Sequence, residues 1–318
     1  MSEPAAPGGP PYRTPADAPK PAGTIYDTGY KRYVGTRRSV ATRWLVIMRH
    51  QIAMAWKKWW RYKMPLFGAV VTTFVAAGLL YFRTSKIMRQ VGTAGGGEIL
   101  RMIDAVVPLS FEWYCRAAFM LTLTLGATIV ATDTQSGAFT FYYVRSIRPM
   151  DYVLGKLAGV GILIATLVML PPLVLVGMRI GFSADTAEVT EQLRLLPKML
   201  ALGGLATLVY TAVPLAMSSL VANRRYALAL WVAYYLIVGF IAGQISMFVT
   251  ADAGVLDIQT SLQAITYELF DMKVMRIRTG GMSPKLALFG LLAQSAFAIA
   301  ILWFQVSRDQ KTGVGGSS

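Results

Sequence analysis

Residues 152–178 read YVLGKLAGVGILIATLVMLPPLVLVGM, and the only charged side chain among them is Lys156, near the start. As a helix rising about 1.5 Å per residue, the stretch reaches roughly 40 Å, more than the roughly 30 Å hydrocarbon core of a bilayer. It reads as a transmembrane helix. Five further runs share its character, at 65–82, 113–132, 199–221, 226–249 and 285–306. Composition agrees: 55% of the 318 residues are hydrophobic and 15% are charged, whereas soluble domains carry about a quarter charged residues. The expected fold is an all-α integral membrane protein with six transmembrane helices.

The regions outside the spans differ sharply from them. Residues 1–24, rich in Pro, Ala and Gly without an apolar core, are expected to form a disordered tail and not a signal peptide. Residues 25–64 form a basic, interfacial segment, 65–306 the six-span domain, and 307–318 a polar tail. With six spans, both termini share a side with the loops at 133–151 and 222–225. That side carries 19 of the 31 Lys and Arg, counting Lys156 with its adjoining loop, but only 6 of the 16 acids. Excess Lys and Arg marks the cytoplasmic face, so both termini and these loops are expected to be cytoplasmic. The net charge of +15 then suits anionic membrane lipids. No aromatic-interleaved pattern points to nucleic acid. The single cysteine, Cys115, excludes an intramolecular disulfide or cysteine metal cluster, and with His50 as the one histidine no metal site is expected.

Residues 39–63, SVATRWLVIMRHQIAMAWKKWWRYK, precede the first span. Trp44, Met48, Ile52, Trp56 and Trp59 recur at steps of three and four, placing them on one face of a basic amphipathic helix. Tryptophan favours the headgroup level of a bilayer, so Trp44, Trp56, Trp59 and Trp60 are the expected membrane-interface anchors. Such a helix lies in the interface plane; the competing expectation is a helix packed on protein.

Between the second and third spans lies TDTQSGAFTFYYVRSIRPMDYVLGKL, residues 132–157. Gly137 to Arg145 suits a short helix along the membrane surface, with Pro149 ending it. Phe139, Phe141, Tyr142 and Tyr143 cannot all face the bilayer, and aromatics and arginine often anchor protein interfaces. Spacing alone leaves two readings open: a partner-binding element, or an interfacial turn that snorkels its arginines and tyrosines.

This loop resembles the coupling-helix loop of permease subunits of ATP-binding cassette transporters, in the type-2, exporter-like group. There an acidic residue, a Gly four positions on, a short helix, a Pro and a Gly-Lys pair occur in the order of Asp133, Gly137, Pro149, Gly155 and Lys156. Tyr26–Arg38 (YDTGYKRYVGTRR), the amphipathic (elbow) helix and the six-span layout add to the resemblance. The chain departs from the family in having Asp133 for the usual Glu, Ala138 after Gly137, and Asp151 where a basic residue commonly follows the Pro. The resemblance implies a short cytoplasmic coupling helix between spans 2 and 3, entering a groove of a separate ATPase subunit. Asp133, Gly137, Phe139, Phe141, Tyr142, Tyr143, Arg145 and Arg148 are the implied contacts. It implies a second permease subunit, ATP and Mg2+ held by the ATPase, a bacterial inner-membrane location and a leaning towards export.

The chain has no G-x-x-x-x-G-K-[ST] sequence, and Gly155-Lys156 opens a span, so no phosphate-cradling loop is expected in it. No cofactor and no catalytic residue is expected here either. The central parts of the spans lack Asp, Glu, Lys, Arg and His, which weighs against a proton-coupled transporter, a channel built on buried charge or an intramembrane enzyme. A scaffold that recruits a cytoplasmic ATPase for mechanical work without transport stays open. Glu112 and Arg116, four apart, are expected to pair at the outer end of span 2. Pro171-Pro172 and Pro214 are expected to kink spans 3 and 4. Gly155/Gly159, Gly177/Gly181 and Gly239/Gly243 permit close helix packing, the last with the option of a dimer seam. Gln244, Gln294 and Ser295 are the polar side chains expected inside the bundle. One short helix is expected on the outer surface within 253–284.

Overall fold

The computed structural model describes residues 40–57, 59–85, 97–139, 142, 147–183, 185–272, 275 and 279–312. The tail at 1–24 and the family-like stretch Tyr26–Arg38 lie outside them. So do Phe141, Tyr143 and Arg145, and with them most of the expected surface helix.

No strand occurs among the described residues, and six helical spans are long and apolar enough to cross a membrane. They run Trp59–Arg83, Val106–Gln135, Pro149–Gly181, Thr186–Leu220, Arg224–Phe248 and Pro284–Gln310. Each contains one of the expected runs almost entirely, and most extend beyond it. The largest extension is span 4, which begins at Thr186 because Asp185 caps its first turn, accepting from the Glu188 amide at 2.8 Å. The outer connection before it, read from the sequence as some twenty residues, is therefore mostly helix.

Span 4 is the hub. Its Leu195–Leu220 helix packs on spans 2, 3, 5 and 6, whereas spans 1 and 5 are the least buried. Between spans 2 and 5, the Trp231 indole donates to Thr122 Oγ1 at 2.9 Å, and Phe119 stacks on Tyr235 at 3.9 Å. The hydroxyls of Tyr210 and Tyr235 lie 3.0 Å apart. Ser218 of span 4 accepts from the Val130 and Ala131 amides of span 2, both at 3.1 Å.

The prolines act differently from one another. Span 3 breaks at Met169, and Pro171-Pro172 occupy the first turn of the helix that resumes at Leu170, where a missing N–H costs least. Pro214 stays within one continuous helix. The sequence reading missed the break in span 2 at Leu125. The two features meet, because a Cβ at Gly126 would lie 3.3 Å from the Pro214 ring. Two wide, π-helical turns also occur, Trp59–Lys63 opening span 1 and Ala233–Val238 inside span 5.

The expected outer helix forms at Ile258–Leu269 and is packed into the bundle, with Leu262 and Tyr267 buried. Its cap, Asp257, accepts from the Gln259 and Thr260 amides. Burial pushes that carboxyl up from its ordinary value, while the hydroxyl and amide of Thr260 and the Gln259 amide pull it back. Asp257 seats on Gly239 of span 5, where a Cβ would lie 2.9 Å from the carboxylate, and Thr260 abuts Gly243. This glycine pair therefore packs within the chain, against the start of the outer helix. Gln294 bridges span 6 to Tyr234 and to the Val255 carbonyl, Ser295 bonds within its own helix, and Gln244 is exposed, against expectation. Glu112 accepts from Tyr267 at 2.7 Å and the Arg116 guanidinium lies 4.4 Å from the Trp113 ring centroid, so neither is spent on the expected Glu112–Arg116 pair.

The amphipathic helix forms at Arg43–Lys57 and packs lengthwise on the start of span 3. Its packing face is Ile47, Gln51 and Ala55, not the tryptophan stripe; Trp44 is half-buried, while Trp56, Trp59 and Trp60 are exposed. Gly155 and Gly159 make the groove that receives it. A Cβ at Gly155 would lie 2.7 Å from Ile47 Cβ and 2.9 Å from the Trp44 carbonyl, and one at Gly159 would lie 2.8 Å from Gln51 Cβ. Gly177 and Gly181 have nothing within 4 Å of such a Cβ. Gly155→Ala or Gly159→Ala should therefore lift the helix from span 3, speeding amide hydrogen exchange over residues 43–57 at least tenfold. The matched Gly177→Ala and Gly181→Ala changes should leave that exchange as in the parent protein.

Candidate functional site

The loop between spans 2 and 3 is held at its base. Span 2 ends at Gln135 with the Ser136 amide donating to the Thr132 carbonyl at 3.0 Å. Gly137 then takes φ +67°, in the left-handed region that glycine enters without strain. On the return, Arg148 is extended and Pro149 starts span 3. The Arg148 amide donates to Asp151 Oδ2 at 3.3 Å, so the acid that stands where a basic residue was expected helps to start this helix.

One helical turn apart, Tyr152 and Lys156 face the end of span 2. The Lys156 ammonium lies 2.7 Å from Asp133 Oδ2, and the Tyr152 hydroxyl donates to the same oxygen at 2.8 Å. Lys156 also donates to Gln51 Oε1 of the amphipathic helix at 3.2 Å and sits 5.3 Å from the Tyr152 ring centroid. The lysine side chain is 4% exposed and the aspartate 16%, so a short buried ion pair joins three elements. Above it Phe139, Tyr142 and Tyr152 pack ring against ring, with centroids 5.0 to 6.5 Å apart. Burial, and then the Asp133 charge, pushes the Tyr142 phenol up to about 12. That ring stays neutral at any physiological pH.

Beside this cluster a cavity of about 130 Å³ opens between the amphipathic helix, spans 1 and 2 and the start of span 5. Gln51, Arg61, Thr128, Asp133, Lys156 and Arg224 are among its lining residues, and the exposed His50 also reaches it.

Of the loop residues expected to meet a partner, five are described. Asp133 and Phe139 are turned into the chain: the first is committed to Lys156 and Tyr152, and the second is 1% exposed. Their part is to brace the loop. Gly137 and Tyr142 are half-buried, and Arg148 is exposed.

Sequence reasoning singled out Lys156 as a motif letter but missed it as the partner of Asp133, and it missed Gln51 and Tyr152 altogether. Signals for them exist. Tyr152 and Lys156 are four apart, and so are Ile47, Gln51 and Ala55, the latter a second stripe hidden behind the more conspicuous tryptophans.

A buried pair that loses one member leaves an uncompensated charge, at a cost of about 3–5 kcal/mol. Lys156→Met should lower the thermal midpoint of the detergent-solubilised protein by several degrees. Asp133→Asn combined with Lys156→Met should recover more than half of that loss, because neither charge is then stranded. An unchanged midpoint in the single variant would show that the pair carries no net weight.

Comparison with protein-family models and with curated proteins finds no match for this chain.

Proposed function

We propose that this chain is the permease subunit of an ATP-binding cassette transporter, working with a separate ATPase and a second permease subunit. The observation that carries the reading is the braced loop: both of its ends are locked to spans 2 and 3 and to the amphipathic helix through Asp133, Lys156, Tyr152 and Gln51. A free interfacial turn has no need of a buried ion pair at its base. A lever does, because the cost of separating the charges makes the three elements move as one.

In this reading the loop meets the ATPase through its distal aromatics and arginines. ATP and Mg2+ are bound by the ATPase, and closure of the ATPases pushes the loop. Asp133 and Lys156 pass the displacement to the ends of spans 2 and 3, whose breaks at Leu125 and Met169 let the near halves tilt against the far halves. The excess of Lys and Arg on the side of the loop and both termini supports a cytoplasmic position for them, and in this reading the chain sits in a bacterial inner membrane. The exposed Trp56, Trp59 and Trp60 fit a helix held at headgroup level. The apolar outer faces of spans 1 and 5 are left for lipid and for the second permease.

A photoreactive amino acid in place of Phe141, irradiated in cells of the native host, tests this directly. Capture of a protein carrying a Walker motif is the expected result. Recovery of lipid adducts or self-adducts alone would return the loop to the status of an interfacial turn.

A further inference from the structure

The cavity beside the Asp133–Lys156 pair is lined by a buried amide donor without a partner and by two further guanidinium groups. Gln51 is 3% exposed and its Nε2 has no hydrogen-bond partner, although its Oε1 accepts from Lys156. Buried amide donors are rarely left unmatched. Arg61 and Arg224 line the same space, and neither has an acidic partner among the described residues. Asp133, the carboxylate in the lining, is already spent on Lys156 and Tyr152. Whatever fills the site must therefore be rich in acceptors and negatively charged. At about 130 Å³ the space exceeds what a single water needs. Two guanidinium groups and an amide suit a tetrahedral oxyanion, since arginine matches phosphate geometry with paired donors.

We propose that this cavity binds a phosphate group, clamping the amphipathic helix to spans 1, 2 and 5. Two sources share that chemistry: an anionic phospholipid headgroup and free phosphate. The neighbouring exposed tryptophans put the cavity at headgroup depth, where basic pockets between helices take anionic lipid heads. The inference does not rest on the transporter reading, because it concerns the filling of the cavity whatever the loop docks to.

The test is calorimetric titration of the full-length chain in a non-ionic detergent with two probes, a short-chain phosphatidylglycerol below its micelle concentration and inorganic phosphate. Saturable one-to-one binding of at least one probe is expected, weakened tenfold or more in Arg61→Gln combined with Arg224→Gln. Should that variant fail to fold, Arg224→Gln alone, at the exposed start of span 5, serves the same purpose. Arg49→Gln combined with Arg225→Gln removes the same charge outside the cavity lining and should bind as the parent does. Binding of the lipid alone identifies a headgroup site, and binding of phosphate alone identifies a soluble one. The proposal is overturned if neither probe saturates, if the Arg61 and Arg224 changes leave affinity intact, or if the control weakens it equally.

Discussion

A buried charge has to be answered where it stands, and in this chain Lys156 is answered by Asp133 from the neighbouring span at 2.7 Å. The attraction between such groups grows as water is excluded, but so does the cost of having dehydrated them. The balance is met by adding polar partners: Tyr152 on the carboxylate and Gln51 on the ammonium. That need fixes how the end of span 2, the start of span 3 and the amphipathic helix meet. Little freedom remains for the backbone around it, which is why Gly155 and Gly159 lie where the amphipathic helix crosses. Any larger side chain would hold Gln51 away from Lys156.

The far end of the bundle solves its own polar problem in a parallel way. Asp257 caps the outer helix while resting on Gly239, and Gln294 and Tyr234 bind each other and carbonyls of the outer connection. Between the two ends the packing is apolar and aromatic, centred on Trp231, Tyr210 and Phe119. The hydrogen bonds of this middle layer, Trp231 to Thr122 and Tyr210 with Tyr235, join neutral groups, and the charged pair sits in the layer that carries the loop.

The six spans were legible because hydropathy over twenty residues leaves little choice in a bilayer, where every backbone polar group must be satisfied within its own helix. The amphipathic helix was legible for its periodicity, but its tryptophan stripe was mistaken for the whole of its apolar character. Ile47, Gln51 and Ala55 form the stripe that packs, and a glutamine within it disguises the pattern. The Asp133–Lys156 contact was hidden for a different reason. The residues are 23 apart with a loop between them, and only the tertiary arrangement brings them together. The Glu112–Arg116 expectation failed because helical spacing permits a pair without requiring it, and the two side chains meet Tyr267 and Trp113 instead. The break at Leu125 had no proline to announce it; a Gly facing Pro214 was the cue.

The wide turn at Ala233–Val238 bears on the history of span 5 as well as its shape. A single π turn is an α-helix holding one residue too many. Losing one residue there would close the turn to ordinary α geometry and leave both flanking faces directed as before. In the unbroken helix Leu195–Leu220 the same loss would swing every following side chain by about 100°, carrying Ser218 away from span 2. Span 5 can therefore change length by one residue across descendants without disturbing its neighbours, whereas span 4 is frozen in register.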